Sequence, residues 1–337
     1  MNVALLVHGQ KQKAIRKGGR IQELCDGVEI KIFASTGPNQ GVQLCQAALD
    51  QGSDTLVFIG GDGWFNECIN GLCQYYQAPG SSSLPLKSRI DWAFVKQIKV
   101  GFVPAGSGND FVKSLQGPTG IASLCEQLQS DQGTDERSNK ETQLRHIDLG
   151  YARFMDEHGA PKEQFFLNIA DVGMGSQAVK RRETMPSWLG SMLRYYAAIA
   201  STIGSFRPIH CAITVDKDQW EGEVSNAVVA NGRYFGHGLC VAPHASVTDG
   251  LLDVIVLPSF GLLDFAKQLF NLKKGRPLTH PGVRTFRGRH VDIRISRDVR
   301  STSEYDPSQQ ADLEMDGDHV GMIPVRFECL SERLTIL

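Results

Sequence analysis

The fold of this chain is decided by two segments, Thr55-Leu56-Val57-Phe58-Ile59-Gly60-Gly61-Asp62-Gly63 and Val100-Gly101-Phe102-Val103-Pro104-Ala105-Gly106-Ser107-Gly108-Asn109-Asp110. In each, an apolar run ends in a glycine-rich turn, and a helix-like segment follows. Glycine lets the backbone turn sharply and approach a ligand closely. The helix that follows points its unpaired N–H groups at the turn. This arrangement is typical of a phosphate-binding site.

An acidic residue lies in each turn, Asp62 in the first and Asp110 in the second. Taken singly, each is more typical of a helix N-cap, because aspartate is favoured there. Their occurrence at two strand ends favours a shared site. A carboxylate repels a bare phosphate, so the pair makes sense only if a divalent cation is also bound. The two turns therefore predict a site for a metal-bound nucleotide.

Composition excludes several other classes of protein. The chain has 337 residues, which suggests about two domains. Hydrophobic residues make up 41% and charged residues 21%, as in a globular protein with a proper core. The net charge of −2 gives no overall attraction to nucleic acid, and we expect no such partner. No apolar run reaches the about 20 residues that span a bilayer, so we expect a cytoplasmic protein.

The eight cysteines show no spacing typical of metal ligands. Most lie in apolar, periodic stretches, where a buried thiol is the expected state. The two histidines of the glycine-rich segment 231–245, His237 and His244, also lack a third ligand at zinc spacing, and we interpret them as loop residues.

The first part of the chain alternates strand-like and helix-like segments. Strands are predicted at 3–7, 28–33, 55–59 and 98–103, and helices at 41–49, after Gly63 and from about Asp110. This order predicts a parallel sheet with helices on both sides. Both glycine turns fall at the carboxyl ends of strands, where ligands collect in such sheets.

From residue 145 the pattern changes to short strands, typical of an antiparallel β-sandwich. These strands are predicted at 165–169, 209–215, 226–229, 254–257, 291–295 and 325–329, with helices at 186–204 and 261–273. Segments 78–89, 130–143 and 297–313 are polar and predict surface loops. We therefore expect an α/β domain over 1–145, which 330–337 can rejoin, and a sandwich over 146–329.

Further motifs follow the two turns. They are Ile147-Asp148-Leu149-Gly150, Asn168 with Gly173-Met174-Gly175, Asn231-Gly232-Arg233-Tyr234-Phe235-Gly236-His237-Gly238, Thr248-Asp249-Gly250-Leu251-Leu252-Asp253 and Met315-Asp316-Gly317-Asp318. No GxxxxGK[ST] phosphate loop is present. In order and spacing, the chain resembles the diacylglycerol kinase catalytic-domain family, which includes bacterial diacylglycerol kinases, sphingosine kinases and ceramide kinases.

The resemblance covers nearly the whole chain. It implies an N-terminal α/β domain like that of NAD kinases, a C-terminal β-sandwich that binds the lipid substrate, and an active site in the cleft between them. It also implies transfer of the ATP γ-phosphate to a lipid hydroxyl with Mg²⁺, and a role in phospholipid metabolism. Asp62, Asp110 and Asp318 are then expected to face one common void.

The same resemblance assigns individual roles. Nucleotide-binding positions are Ser35, Gly60, Gly61, Asp62, Gly63, Trp64, Asn66, Glu67, Ser107 and Asn109. An acidic network of Asp62, Asp110 and Asp148 would order Mg²⁺ and water, although Asp148 could instead cap a turn. Asp249, with the backbone carbonyls of Ser246 and Leu251, matches a structural magnesium site, although Asp249 also suits a plain turn. Asp318 stands at the position of the general base.

Three features of the sequence depart from the family pattern. Trp64 replaces a threonine, His8-Gly9-Gln10-Lys11-Gln12 replaces an Asn-Pro turn, and Asp318 replaces a glutamate. Trp64 could pack against the adenine or simply fill space. An alternative is therefore a lipid- or nucleotide-binding relative with impaired catalysis. An NAD kinase is a further alternative, disfavoured by the second turn and by the Asp316-Gly317-Asp318 loop.

Two helical segments suggest where a lipid partner would bind. Residues 188–206 combine an apolar stripe with flanking arginines, and 261–276 ends in Lys273-Lys274-Gly275-Arg276. An ordinary packed helix is the commoner outcome for such a pattern. The alternative is contact with the inner face of a membrane, with basic side chains near anionic headgroups. A homodimer paired through an exposed sheet edge is also compatible with the sequence.

Overall fold

A computed structural model of the chain describes residues 1–78, 84–115, 120–130, 145–259, 261–296 and 311–337. They form two compact units, one of Met1–Leu149 with Ser331–Leu337 and the other of Gly150–Leu330. Of the loops predicted at 78–89, 130–143 and 297–313, the stretches 79–83, 131–143 and 297–310 lie outside the described residues. No helix in the described ranges is long and apolar enough to cross a membrane.

The first unit is built on a parallel sheet. Its strands are β1 (Val3–Val7), β2 (Ile30–Ala34), β3 (Thr55–Gly60) and β4 (Lys99–Pro104). β1 lies between β2 and β3, and β4 pairs with β3, all in parallel register. Thr335 and Ile336, from the end of the chain, add a parallel pairing to Lys99 and Val100 of β4. The predicted parallel α/β domain is confirmed.

Helices cover both faces of this sheet. They are α1 (Gln12–Leu24), α2 (Gly41–Asp50), α3 (Asp62–Tyr75), α4 (Leu86–Arg89), α5 (Trp92–Val95), α6 (Asp110–Ser114) and α7 (Ile121–Ser130). One face packs apolar side chains of β1 and β3 against α1 and α7. On the other face, Phe58, Phe65, Phe102 and Phe111 form edge-to-face pairs around Phe102. These contacts fix the ends of β3 and β4, where the glycine turns begin.

The second unit is rich in antiparallel strands. They are β5 (Arg145–Met155), β6 (Pro161–Phe166), β7 (Ile169–Gly173), β8 (Ile209–Val215), β9 (Asp218–Val224), β10 (Asn226–Ala230), β11 (Tyr234–Phe235), β12 (Leu239–Cys240), β13 (Leu252–Leu257), β14 (Arg284–Gly288), β15 (His290–Ile295), β16 (Asp312–Met315) and β17 (Asp318–Ile336). β5 starts and β17 ends in the first unit. The strands pair in the order β14-β13-β10-β7-β16-β17, and β17 continues through β15 and β8 to β9.

The core of the second unit lies between two parts of this antiparallel array. Alternate side chains of β10 and β13, such as Val229 and Val254, pack in one cluster with residues of β8 and β15, such as Ile213 and Ile293. The opposite face of β10 and β13 packs on helices α8 (Met174–Thr184), α9 (Ser191–Ile203) and α10 (Leu262–Lys273). The predicted antiparallel sandwich is therefore confirmed.

Some local predictions were wrong. The strand expected over 165–169 is divided, because β6 ends at Phe166 and β7 begins at Ile169. The loop expected over 78–89 contains α4, in which Leu86 is buried. The loop expected over 297–313 ends within β16, where Leu313 is buried. In both cases an apolar side chain at the end of a polar stretch, Leu86 or Leu313, is buried.

Candidate functional site

The two glycine turns lie side by side in the first unit. β3 and β4 are neighbours in parallel register, so Gly60 pairs with Pro104 and the turns leave the same edge of the sheet. The backbones then approach so closely that a Cβ built on Gly106 would lie 2.5 Å from the Cα of Gly61. Glycine is required at this crossing because any side chain would collide with backbone.

Asp62 joins the two turns. Its Oδ2 accepts a hydrogen bond from the backbone N–H of Asp110 and its Oδ1 one from Phe111, both at 3.0 Å. Asp62 therefore caps α6 from a distance of 48 residues along the chain. Burial raises the pKa of Asp62, and the two N–H donors oppose that shift because they stabilise the carboxylate. The side chain of Asp62 thus connects the two turns, which were predicted to form one site.

The second turn is held by its own asparagine. Asn109 has a φ of 53°, in the left-handed region that asparagine tolerates. Its Oδ1 accepts from the N–H of Gly106 at 2.7 Å, and its Nδ2 donates to the Gly106 carbonyl at 3.0 Å. Ser107 is left exposed at the tip of the turn. Asp110 is buried and pairs with Lys113 at 2.7 Å.

The side chain of Trp64 packs against the first turn. Its side chain is buried, and its indole Nε1 donates to the Leu6 carbonyl of β1 at 3.0 Å. The ring packs edge-on to His8 and fills the space beside Gly60, where a Cβ would lie 2.4 Å from the indole. The indole N–H is the polar group of this side chain, and it already has a partner. Of the two roles left open for Trp64, this geometry favours filling space.

The other predicted nucleotide positions of this unit support neighbouring backbone. Ser35 is buried, and its Oγ accepts from the N–H of Gly9 at 2.9 Å. Glu67 accepts from the N–H of Gly41 at 2.7 Å and thereby caps the start of α2. Asn66 is buried and accepts from the side chain of Asn70 at 3.0 Å. These residues form the frame on which the turn at Gly60, Gly61 and Gly63 is held.

Sequence reasoning missed the cations around these turns. The Nζ of Lys11 lies 3.6 Å from the position of a Cβ on Gly61, so its ammonium group stands over the first turn. Lys17 donates from Nζ to the Pro104 carbonyl at 2.7 Å, and burial lowers its pKa. Lys113 donates to the Gly108 carbonyl at 3.0 Å. The segment that lacks the Asn-Pro turn therefore supplies a positive charge instead.

The two remaining acids predicted to bind metal have other partners. Asp148 is fully buried, and its Oδ1 accepts from the Glu332 N–H at 2.8 Å within the first unit. In the second unit, Asp249 pairs with the guanidinium of Arg287 and accepts from the Leu251 N–H at 3.0 Å. Arg287 also lies 3.4 Å from Asp253. The guanidinium of Arg287 therefore neutralises the carboxylate of Asp249.

Ser246 and Leu251 complete that predicted metal site. The hydroxyl of Ser246 lies 3.1 Å from that of Thr248, and Leu251 donates its N–H to Asp249. Among the residues described, no three His, Cys, Asp or Glu side chains gather around a position for a cation. Asp249 thus has a guanidinium and a backbone N–H as partners, and its role as a metal ligand with the carbonyls of Ser246 and Leu251 stays a prediction.

The loop that carries Asp318 is held in place by hydrogen bonds to Asp316. Asp316 is buried and accepts from the N–H groups of Leu167, Asn168 and Ile169 at 2.7–3.2 Å. Asp316 and Gly317 both have positive φ, at 51° and 97°. This tight turn leaves Asp318 exposed at the start of β17. The turn presents its carboxylate on a rigid support.

A carboxyl pair behind this loop, in which Asp171 is buried and Glu314 half-buried, was also missed. Asp171 of β7 lies directly opposite Glu314 of β16, and the two side chains share a hydrogen bond. Burial raises the pKa of both, and the field of Asp171 and Asp318 raises that of Glu314 further, against the opposing charge of Arg182. The positions are 143 residues apart, so only the strand register brings them together.

All eight cysteines are buried free thiols, as the apolar spacing predicted. Burial raises the pKa of several of them, Cys45 and Cys73 among them. A thiol with a raised pKa is a poor nucleophile and metal ligand. Cysteine chemistry therefore plays no part in the candidate site.

Comparison with known proteins identifies the class. The family described as "Diacylglycerol kinase catalytic domain" matches residues 2–136, and the "YegS C-terminal NAD kinase beta sandwich-like domain" matches residues 169–337. The two matches cover the glycine turns and the Asp316-Gly317-Asp318 loop. The chain belongs to the diacylglycerol kinase family, and with it to the kinases.

Curated relatives agree with this assignment. A diacylglycerol kinase of Mycobacterium tuberculosis is 25% identical over 98% of this chain and 91% of its own length. One of Bacillus subtilis is 25% identical over 92% of this chain and 86% of its own. A probable YegS-like lipid kinase of Shewanella frigidimarina is 24% identical, with 78% and 74% covered.

Solved structures share the fold. A putative diacylglycerol kinase from Bacillus anthracis superposes with a TM-score of 0.68 over 99% of this chain and 96% of its own, at 20% identity. Yeast NADH kinase superposes with a TM-score of 0.51 over 100% of this chain and 82% of its own, at 10% identity. The NAD-kinase-like fold expected from the sequence is therefore confirmed.

Proposed function

We propose that this protein transfers the γ-phosphate of ATP to a hydroxyl of a diacylglycerol- or sphingoid-like lipid. The observation that carries the proposal is the pair of glycine turns joined by Asp62, in a chain that belongs to the diacylglycerol kinase family. Curated relatives named diacylglycerol kinase support the choice of acceptor.

The first turn is proposed to bind the phosphates. α3 begins at Asp62, directly after Gly60 and Gly61, and the first N–H groups of a helix have no partner within it. Lys11 adds an ammonium group over the same turn. Backbone donors together with a cation are the groups that hold a polyphosphate without carrying out covalent chemistry.

A magnesium ion would be held by Asp62 and Asp110, whose carboxylates supply the oxygen ligands that Mg²⁺ prefers. When bound, it neutralises the charge that develops on the transferred phosphoryl group. The side chain of Asp62 is fixed by two backbone donors, so its orientation does not depend on the ion. The two carboxylates of these turns therefore fit Mg²⁺.

Asp318 is proposed to accept the proton of the lipid hydroxyl. In this step the hydroxyl oxygen forms a bond to the γ-phosphorus, the bond to the ADP oxygen breaks, and the proton passes to the Asp318 carboxylate. The hydrogen bonds to Asp316 hold the turn from which the Asp318 side chain projects. This assignment rests on the family position of Asp318 and on its exposure.

The test is phosphate transfer by the purified full chain. Labelled ATP and Mg²⁺ are supplied with diacylglycerol, sphingosine, ceramide or NAD, and the labelled product is identified. We expect labelled lipid, loss of about 100-fold or more in rate for Asp318→Asn, and no such loss for Asp218→Asn, another exposed aspartate of the second unit.

Two results would contradict the proposal. Labelling of NAD alone would show an NAD kinase. Calorimetric binding of ATP with Mg²⁺, without transfer to any acceptor, would support a relative that binds nucleotide and has lost catalysis. An Asp318→Asn variant with full activity would refute the role of that residue alone.

A further inference from the structure

The outer surface of α10 carries apolar side chains that do not enter the core. Leu263 is 81% exposed and Phe270 56% exposed. Lys267 and Lys274 alternate with them at helical spacing, so the four residues share one stripe. The ammonium group of Lys274 lies 4.2 Å from the centre of the Phe270 ring. The opposite side of the helix, with Leu272, is buried.

A second exposed group lies at the start of α9. Trp188, in the single 3-10 turn Ser187–Leu189, is 81% exposed, and Leu193 is 54% exposed. Arg194 is anchored beside them, because its Nη2 donates to the Arg182 carbonyl at 2.7 Å. Tryptophan at such exposure is uncommon in a protein surface that faces only water.

The fold places both groups in one helical layer. Ile199 of α9 and Leu272 of α10 pack in the same apolar cluster, against Val228 of β10 and Ile255 of β13. The ammonium group of Lys273 lies 5.0 Å from the centre of the Tyr196 ring, which joins α10 to α9. Two segments about 75 residues apart in sequence are therefore neighbours on one face of the sheet.

Positive charge is concentrated in the same segments. Residues 180–207 contain five lysines and arginines and one glutamate, and residues 261–276 contain four and one aspartate. The whole chain has a net charge of −2, so this excess is local. Exposed aromatic and aliphatic side chains interleaved with cations are typical of surfaces that bind the interface of an anionic membrane.

We propose that this helical face, defined by Trp188, Leu193, Leu263 and Phe270 with Lys267, Lys273 and Lys274, docks on an anionic lipid bilayer. The apolar side chains enter the headgroup region, and the ammonium groups meet lipid phosphates. A second copy fits less well, because two such faces would bring like charges together. Docking on a bilayer is consistent with the proposed lipid substrate. It concerns membrane binding alone and does not require that the protein phosphorylates a lipid.

The test is sedimentation of the full chain with vesicles, without nucleotide. Vesicles of phosphatidylcholine alone are compared with vesicles in which about a third of the lipid is phosphatidylglycerol. We expect binding to the anionic vesicles that weakens as salt is added. The double variant Leu263→Ser/Phe270→Ser should bind at least about tenfold more weakly, because it loses the two apolar groups that would enter the headgroup region. Lys273→Gln/Lys274→Gln should weaken binding to anionic vesicles only.

Matched controls are Leu84→Ser, a leucine 52% exposed in the first unit, and Lys13→Gln. All variants are compared by thermal unfolding, so that a folding defect is detected separately. No binding to anionic vesicles, or equal binding by the double variants and the wild type, would overturn the proposal. A dimer that the serine variants abolish would identify a second copy as the occupant. If binding is seen but no lipid is phosphorylated, the docking face stands and the proposed function fails.

Discussion

At the scale of single residues, Lys11 most changes the interpretation of the site. Its segment replaces the expected Asn-Pro turn, and from the sequence alone this replacement suggested impaired catalysis. In the folded chain its ammonium group stands over Gly61, within reach of whatever the glycine turn binds. A lysine on a flexible stem is a common phosphate-binding group.

Lys11→Gln should therefore weaken the binding of ATP with Mg²⁺ by at least about tenfold, because a charge-assisted hydrogen bond contributes about 1.5–3 kcal/mol. Isothermal calorimetry measures the change. Lys13→Gln, at an exposed lysine in the first turn of α1, serves as the control. Equal affinities for the two variants would show that Lys11 does not contact the nucleotide.

Trp64→Thr restores the residue usual in the family, and it should raise activity if Trp64 is the obstacle to catalysis. The structure predicts a different outcome, since the indole is buried and bonded to Leu6. Removal of a buried aromatic side chain costs about 3–5 kcal/mol, which denaturant unfolding measures. Trp188→Thr, at 81% exposure, should change stability little. Higher activity at unchanged stability would restore Trp64 as the obstacle.

The Asp171–Glu314 pair predicts a pH dependence of stability. Burial raises the pKa of Glu314 well above 4.5, so the folded protein retains a proton that the unfolded chain releases. The free energy of unfolding should then fall as pH rises from about 4.5 through the raised pKa. Glu314→Gln keeps a donor facing Asp171 without a titrating proton, so its stability should vary less with pH. Glu223→Gln, at an exposed site, is the control, and parallel profiles for the two variants would contradict the shared proton.

At the scale of elements, the cap that Asp62 supplies to α6 is the contact that unites the two turns. Asp62→Asn leaves one oxygen for two N–H donors and turns an amide N–H₂ group toward the other. We expect a loss of about 1–3 kcal/mol and faster hydrogen exchange at Asp110 and Phe111. Asp26→Asn, at an exposed site just after α1, is the matched change. Unaltered exchange at both amides would show that α6 does not need this cap.

Most strands were predictable from sequence, because their apolar runs are bounded by glycine or polar residues. β1 was predicted at its observed bounds, and β8 likewise. The helix α8 was not predicted, since it buries only short side chains such as Ala178 and shows no apolar stripe. The glycine turns were visible as local sequence. The Asp171–Glu314 pair and the position of Lys11 were not, because both depend on contacts between distant segments.

At the scale of the whole molecule, several carboxylates hold backbone segments in place. Asp62, Asp148, Asp249 and Asp316 each accept hydrogen bonds from backbone N–H groups, and they lie in both units. A sequence motif rich in aspartate therefore contains both aspartates that hold the backbone and aspartates that can bind a ligand. Some acids fix turns, and fewer remain available to ligands than the motif alone suggests.

This distinction predicts how the protein responds to metal removal. Because the guanidinium of Arg287 already neutralises Asp249 and lies close to Asp253, the folded state needs no resident cation there. EDTA should leave the unfolding midpoint of the nucleotide-free protein unchanged. Arg287→Met should lower it by about 2–4 °C, the shift expected for about 1 kcal/mol in a domain of about 150–250 residues, the size range of the second unit. Arg284→Met, on the same strand but bonded to carbonyls, should have a smaller effect. A fall of several degrees on chelation of the wild type would show instead that Asp249 holds a metal and that Arg287 is not its replacement.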